Sequence, residues 1–324
     1  MTLEEISILT GSSITTISRV INDKPGVSKE KRDSIKKFLI ENGFYKKGIF
    51  TDISKQIAVV IPDLQNPFFG EIVKRISETL RESDFQIIVF DTDENFSLEE
   101  KAIETILKTN VQGVIICVTD TINSLKNLEK LEKLKIPFVI FDRELDFYQD
   151  GVFLDDFKAG YLATQFLIDK GHKNISILLG PLGVKNVKNR YSGYLYALKS
   201  NNIEINEKLV FEGNFKLDSG FNFMKYIDEE NLNTSAVVSC NNFMTLGILK
   251  YKNSSNKNTI KNLELIGIDN PDYFDILNLK INCISRPISQ MGILAANLML
   301  KKISNSVDYT EKIIIQPKLE IKNF

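Results

Sequence analysis

Two groups of residues in this chain carry usable chemistry. The first lies within residues 2–22, where Ile14, Thr15, Ser18, Arg19 and Asn22 are the positions left over once Ile17, Val20 and Ile21 are assigned to burial. Apart from Ile14 and the long Arg19 they are short and hydrogen-bonding, a face suited to base edges and phosphates. The second group is spread through the chain, and most of its members follow apolar runs. These are Asp63 with Asn66-Pro67-Phe68-Phe69, Asp91 to Asn95, Asp142-Arg143, Asn241-Asn242 and Asp269-Asn270, with Arg190 and Phe215 in later loops. Amides, carboxylates and guanidiniums pair with several hydroxyls while a phenyl ring covers an apolar sugar face, which is the chemistry of polyol recognition. Each member also has a plainer reading. Phe68 and Phe69 can open a core-packed helix, Asp142-Arg143 can be a local ion pair, and Asp269-Asn270-Pro271 is a turn sequence by itself.

The elements that must position these residues follow from the hydrophobic pattern. Thr2-Leu3-Glu4-Glu5 has capping-box form, and Leu3, Ile6 and Leu9 recur at three-residue spacing. Gly11 supplies a permissive turn, and Ser13 caps a second helix that carries Ile17, Val20 and Ile21. A third helix starts at Ser28, buries Ile35 and Leu39, and stops at Gly43. After residues 44–55, which lack a period, Gln56 to Ile61 reads as a buried parallel strand closed by Pro62. Further strands are expected at 86–90, 113–117, 137–141, 174–179, 236–239 and 263–268, with amphipathic helices between most of them. Alternation of this kind builds parallel sheets covered by helices on both faces. The length of the repeat exceeds one comfortable sheet, so the predicted fold class is α/β: a small all-α headpiece followed by two doubly wound parallel-sheet subdomains.

A chain of 324 residues with 43% apolar and 26% charged residues is that of an ordinary folded protein of more than one domain. Its net charge of −1 is unevenly placed. Residues 1–50 hold nine Lys/Arg against six Asp/Glu, a surplus of three, which leaves the remainder at −4. A basic head suits a module that meets phosphates, although Lys29, Lys31, Lys36 and Lys37 also fit a solvated helix face. The sequence shows neither a signal-like start nor an apolar stretch long enough to cross a bilayer, so a cytoplasmic protein without a membrane partner is expected. Cys117, Cys240 and Cys283 are far apart in apolar contexts and read as buried thiols rather than a disulfide or metal set. The single histidine, His172, sits in a helix-to-strand turn and reads as structural. No glycine-rich phosphate loop follows the first strand, Gly180-Pro181-Leu182-Gly183 is too short a signal, and there is no Gly-x-Ser-x-Gly elbow. No enzyme activity and no cofactor are expected.

The run Gly11-Ser12-Ser13-Ile14-Thr15-Thr16-Ile17-Ser18-Arg19-Val20-Ile21-Asn22, with Val27-Ser28 and Gly43-Phe44, resembles the DNA-binding headpiece of the lactose-repressor (LacI) family. The resemblance makes Ile14, Thr15 and Arg19 base-reading positions, and Ser13, Thr16, Ser18 and Asn22 phosphate-side positions. Ser12 and Thr10 depart from the family's usual valine and alanine, which should loosen the headpiece slightly. The body resembles the family's effector domain and the periplasmic sugar-binding proteins. The carrying segments are 63–69, Arg190-Tyr191-Ser192-Gly193-Tyr194, 240–247, Ile266-Gly267-Ile268-Asp269 and 284–292. Within it Asn66, Phe68, Phe69, Asn95, Asp142, Arg143, Arg190, Phe215, Asn241 and Asp269 fall where ribose-type binders place ligand contacts. Arg286 stands where those binders usually have glutamine, and Asn242 where the family usually has aspartate.

The resemblance implies a headpiece over 1–45, a hinge over 46–55, and an effector-binding and dimerisation domain over 56–324. Its N-subdomain would comprise 56–157 and 285–316, its C-subdomain 158–284 and 317–324. In the hinge, Tyr45 to Ile53 lacks the family's proline and looks about four residues short, yet Ile53 keeps the register of the leucine that wedges into the minor groove. The implied function is a homodimeric repressor that binds operator DNA under control of a small sugar, a pentose such as ribose being favoured. A nucleobase or a phosphorylated protein corepressor is the alternative, and a sugar-binding protein with no DNA role is a further one.

Overall fold

A computed structural model describes residues 3–21, 24–41, 55–146, 150–269, 271, 274, 276, 279, 281–304 and 310–322. Thr2, Asn22, Gly43 and the segment Tyr45 to Ile53, on which several expectations fall, lie outside the described residues.

The headpiece is three helices: α1 (Leu3–Thr10), α2 (Ile14–Ile21) and α3 (Lys29–Glu41). Gly11 makes the turn between the first two with φ +60°, a conformation that costs a side-chain-bearing residue energy. The Ser13 hydroxyl accepts from the Thr16 amide at 3.1 Å and so caps α2. Ile6, Ile17, Val20, Ile35 and Leu39 form the core. Leu9 does not join them; it is 58% exposed. The reason is geometric, since a three-residue step falls about 60° short of a full helical turn and Leu9 rotates off the face that buries Ile6. Ser12, in the place of the family's valine, is buried and held by polar contacts: its carbonyl accepts from Ser7 Oγ at 2.7 Å, and its hydroxyl donates to the Thr10 carbonyl at 3.3 Å.

The body starts with β1 (Gln56–Ile61), α4 (Pro67–Arg81), β2 (Gln86–Asp91), α5 (Phe96–Ile106), β3 (Gly113–Ile116), α6 (Leu125–Lys133) and β4 (Phe138–Asp142). After β5 (Gly151–Leu154) come α7 (Asp156–Asp169), β6 (Ile175–Leu179), α8 (Lys185–Ser200), β7 (Val210–Glu212), α9 (Leu217–Glu229), β8 (Ala236–Ser239), α10 (Asn242–Ser254), α11 (Asn258–Lys261) and β9 (Glu264–Ile268). The chain closes with β10 (Asn282–Ser285), α12 (Ile288–Ile303), β11 (Lys312–Ile315) and β12 (Lys318–Glu320). Two six-stranded sheets result, ordered β11-β5-β4-β3-β1-β2 and β12-β10-β9-β8-β6-β7, with every pairing parallel except β10 with β12. The chain therefore passes between lobes three times: at Asp155, at Arg286-Pro287 and at Gln316-Pro317. The seven expected strands are all present, and β5, β7, β10, β11 and β12 were not foreseen. Those five span only three or four residues each, too short to establish a period of their own.

Strand interiors such as Ile57 to Ile61 and Ala236 to Val238 are buried, as both faces of each sheet are covered. The three cysteines are free and buried, and His172 Nδ1 lies 2.9 Å from Ser235 Oγ. Among the described residues, no helix is long and apolar enough to cross a membrane.

Candidate functional sites: the interlobe cleft and the headpiece face

The carboxyl ends of both parallel sheets face the junction between the lobes, where open α/β sheets bind ligands. Asn66 caps α4, its Oδ1 accepting from the Phe68 amide at 3.1 Å. The same oxygen accepts from Asn242 Nδ2 of the other lobe at 2.9 Å. Asn241 caps α10 through the Met244 amide at 2.7 Å and donates to the Phe215 carbonyl at 3.0 Å. Glu94, Asp142, Phe215 and Asp269 adopt positive φ values of 55°, 62°, 64° and 88°. Left-handed backbone at four non-glycine residues around one site is held by the surrounding fold and turns each side chain toward the cleft.

Three buried arginines organise the charge. Arg143 forms a forked pair with Glu94 at 2.8 and 2.5 Å and donates to the carbonyls of Val118 and Thr119. Arg190, which lies within α8 and not in the expected loop, donates to Asp156 at 2.7 Å and to the Cys240 carbonyl at 2.7 Å. That pair needs α7 and α8 in close contact, which Gly160 permits: a Cβ there would sit 2.0 Å from the Arg190 carbonyl oxygen. Arg286 joins the lobes, donating through Nη1 to Asp142 at 2.7 Å and through Nε to Asp269. Its guanidinium lies over the Phe68 ring, 3.5 Å from the centroid, and that of Arg143 lies 5.4 Å from the Phe215 centroid. Both phenyl faces thus meet guanidiniums. Burial alone would lower the Arg143 and Arg190 pKa values, but Glu94 and Asp156 outweigh it and hold both above the ordinary range. For Asp156 burial wins over Arg190, and its pKa rises to about 6.

Asn66, Phe68, Phe69, Asp142, Arg143, Arg190, Phe215, Asn241 and Asp269 line a single cavity of about 30 Å³. Asn95 does not: it is exposed and caps α5, accepting from the amides of Ser97 and Leu98 at 2.8 and 3.3 Å. Glu94, Asn186 and Arg286 complete the lining. Glu94 belongs to the candidate stretch Asp91 to Asn95 but is not singled out within it, Arg286 stands out as a departure from glutamine, and Asn186 has no sequence signal. Asn186 Oδ1 and Asp269 Oδ2 are buried there without a partner. Bridges close the rim: Lys216 to Asp63 at 2.8 Å and Asp93 at 3.0 Å, Lys185 to Glu144 at 2.7 Å, and Thr121 Oγ1 to the Gly183 carbonyl at 2.8 Å. In this closed arrangement the cavity holds only solvent-sized occupants, so a sugar needs the lobes to part or Arg286 to swing.

On the headpiece, Ser13, Ile14, Thr15 and Arg19 are exposed while Thr16 and Ser18 are half-buried. Ser13 Oγ and Thr16 Oγ1 lie 2.8 Å apart. Gly26, at φ +99°, leaves room for the Arg19 guanidinium; a Cβ there would lie 3.2 Å from Nη1. Asn22 and Ile53 lie outside the described residues.

The body, residues 54–323, matches the family described as "Periplasmic binding proteins and sugar binding domain of LacI family", and residues 2–46 match "Bacterial regulatory proteins, lacI family". The chain belongs to the LacI family, whose members are DNA-binding transcriptional regulators rather than enzymes. It is 28% identical to the HTH-type transcriptional repressor PurR of Histophilus somni, over 99% of this chain and 98% of that one. It is also similar to a structure of the transcriptional regulator CelR in complex with cellobiose, with TM-score 0.76 and 25% identity over 99% of each chain. A LacI-family regulator from Enterococcus faecium with bound ribose is similar at TM-score 0.70 and 25% identity, over 82% of this chain and 96% of that one.

Proposed function

We propose that this regulator is a cytoplasmic homodimeric repressor that binds operator DNA through α2 and is controlled by a small sugar, a pentose such as ribose, held between its two lobes. Convergence carries this reading: side chains from both lobes meet in one cleft, with the Asp269 Oδ2 acceptor buried and unpaired. A buried acceptor without a partner costs about 1–3 kcal/mol, which a ligand hydroxyl would recover. The ribose and cellobiose held by two relatives support a sugar. Ser13, Thr16, Ser18 and Asn22 would set the headpiece on phosphates while Ile14, Thr15 and Arg19 read bases. The hinge couples the two ends. Ile53 would wedge into the minor groove at the centre of a pseudo-palindrome, and lobe movement would change the spacing of the paired hinges.

Thermal denaturation of the purified protein against a panel of sugars and nucleobases tests the effector, because a ligand bound only by the folded state raises the melting temperature. A pentose should raise it, and Asp269→Ala should remove the response. A nucleobase that stabilises the protein while no sugar does would replace the sugar reading.

A further inference from the structure

Asp142 ends a strand of one lobe and Asp269 follows a strand of the other, yet a single side chain, Arg286, pairs with both. Arg143 is engaged by Glu94, and Arg190 by Asp156. Four carboxylates therefore face three guanidiniums, a formal balance of −1. The rim repeats the excess at one end, where Lys216 lies between Asp63 and Asp93, while at the other Lys185 and Lys312 balance Glu144 and Asp146. Both buried, unpartnered atoms of the cleft are acceptors, Asn186 Oδ1 and Asp269 Oδ2. The amino ends of α4 and α10 also point here, and a helix amino terminus favours anions, but Asn66 and Asn241 already accept from amides in their first turns. A donor on a ligand would satisfy either of the two orphaned acceptors.

Taking the cleft to be the effector site proposed above, we propose that it selects an uncharged or amine-bearing hydrogen-bond donor and excludes phosphorylated ligands, with Arg286 setting that selection by balancing one of the two aspartates the lobes bring together. A phosphate would meet guanidiniums already neutralised by carboxylates and would add negative charge to a buried site that carries an excess of it. A hydroxyl or an ammonium meets Asp269 Oδ2 directly. Loss of the Arg286 charge leaves four carboxylates against two guanidiniums, which favours an ammonium over a hydroxyl.

Calorimetric titration of the full chain with matched probes tests the selection. The probes are ribose and ribose 5-phosphate, and glucose, glucosamine and glucose 6-phosphate, each against wild type, Arg286→Gln and Arg286→Lys. On whichever scaffold binds, the phosphate ester should be weaker than its parent by about tenfold or more. The ratio of glucosamine to glucose affinity should rise by about tenfold in Arg286→Gln and stay unchanged in Arg286→Lys. A merely structural role for Arg286 would weaken all probes together and leave the ratio alone, which overturns its assignment. Should Arg286→Gln not fold, the wild-type ester comparison still decides the charge selection, and Arg286→Met, titrated with glucose and glucosamine beside Arg286→Lys, decides the role of Arg286. A phosphate ester that binds wild type as tightly as its parent, through contacts that Asp269→Ala abolishes, overturns the charge selection and keeps the cleft as the effector site. Binding indifferent to Asp269→Ala, or no binding by any probe to any of the three proteins, overturns the cleft reading and the selection with it.

Discussion

Arg19 of the headpiece stands exposed on three helices whose core, among the described residues, comprises five buried hydrophobic side chains, whereas Arg143, Arg190 and Arg286 of the cleft are buried against carboxylates. An exposed arginine keeps its donors available to a large anionic partner and loses little by waiting for it in water. A buried one must be paired before any ligand arrives, so the cleft is pre-neutralised and its ligand competes with the protein's own ion pairs. Recognition of DNA thus rests on a stable scaffold under a free face, and recognition of the effector on the balance of an internal charge network.

Breaking that network should give the largest effect. Arg190→Met leaves Asp156 buried without its partner and should destabilise the body by about 3–5 kcal/mol, while the double variant Arg190→Met/Asp156→Leu should recover most of it. Urea denaturation of the three proteins is the check, and equal loss in single and double variants would show that the pair itself is not what matters. Next comes the headpiece core. Ile17 is fully buried, and Ile17→Ala should cost about 2–5 kcal/mol there, removing DNA binding while the melting transition of the body stays in place. A single transition that moves for both regions would contradict their separation.

The pH dependence is smaller and has a definite sign. The Asp156 carboxyl titrates near 6 in the folded protein against 3.8 ordinarily, so between those values the folded state keeps a proton that the unfolded state has released. Its contribution is fully present below about pH 4 and is lost as pH rises through 6, at most about 3 kcal/mol. Asp156→Asn should therefore flatten stability between pH 4 and 7 relative to wild type. Identical pH profiles for the two proteins would sink the assignment.

How much of this was legible beforehand follows the same contrast. In the headpiece, helical spacing fixes which residues are left over for contact, and among the described residues Leu9 strays from its expected side. In the body, long apolar runs disclosed seven strands, and the residues following them disclosed most of the cleft. The rest depends on contacts that sequence separation conceals: Arg286 reaches Asp142 across 144 positions, and Asn242 reaches Asn66 across 176. Asn95 was assigned to the pocket by family position, but its side chain satisfies the local need of a helix start. Glu94, one residue earlier and at positive φ, turns toward Arg143 instead.

The central claim, a regulator that reads DNA through α2, is tested most directly by fluorescence anisotropy of the full chain on a duplex selected from random sequence and on its scrambled counterpart, across a salt series. Wild type should prefer the selected duplex by about a thousandfold or more, with affinity for both falling steeply as salt rises. Arg19→Ala should lose about 1–3 kcal/mol on the selected duplex and far less on the scrambled one, narrowing the gap. Equal loss on both duplexes would mean that Arg19 only meets phosphates and that α2 does not read bases as oriented here.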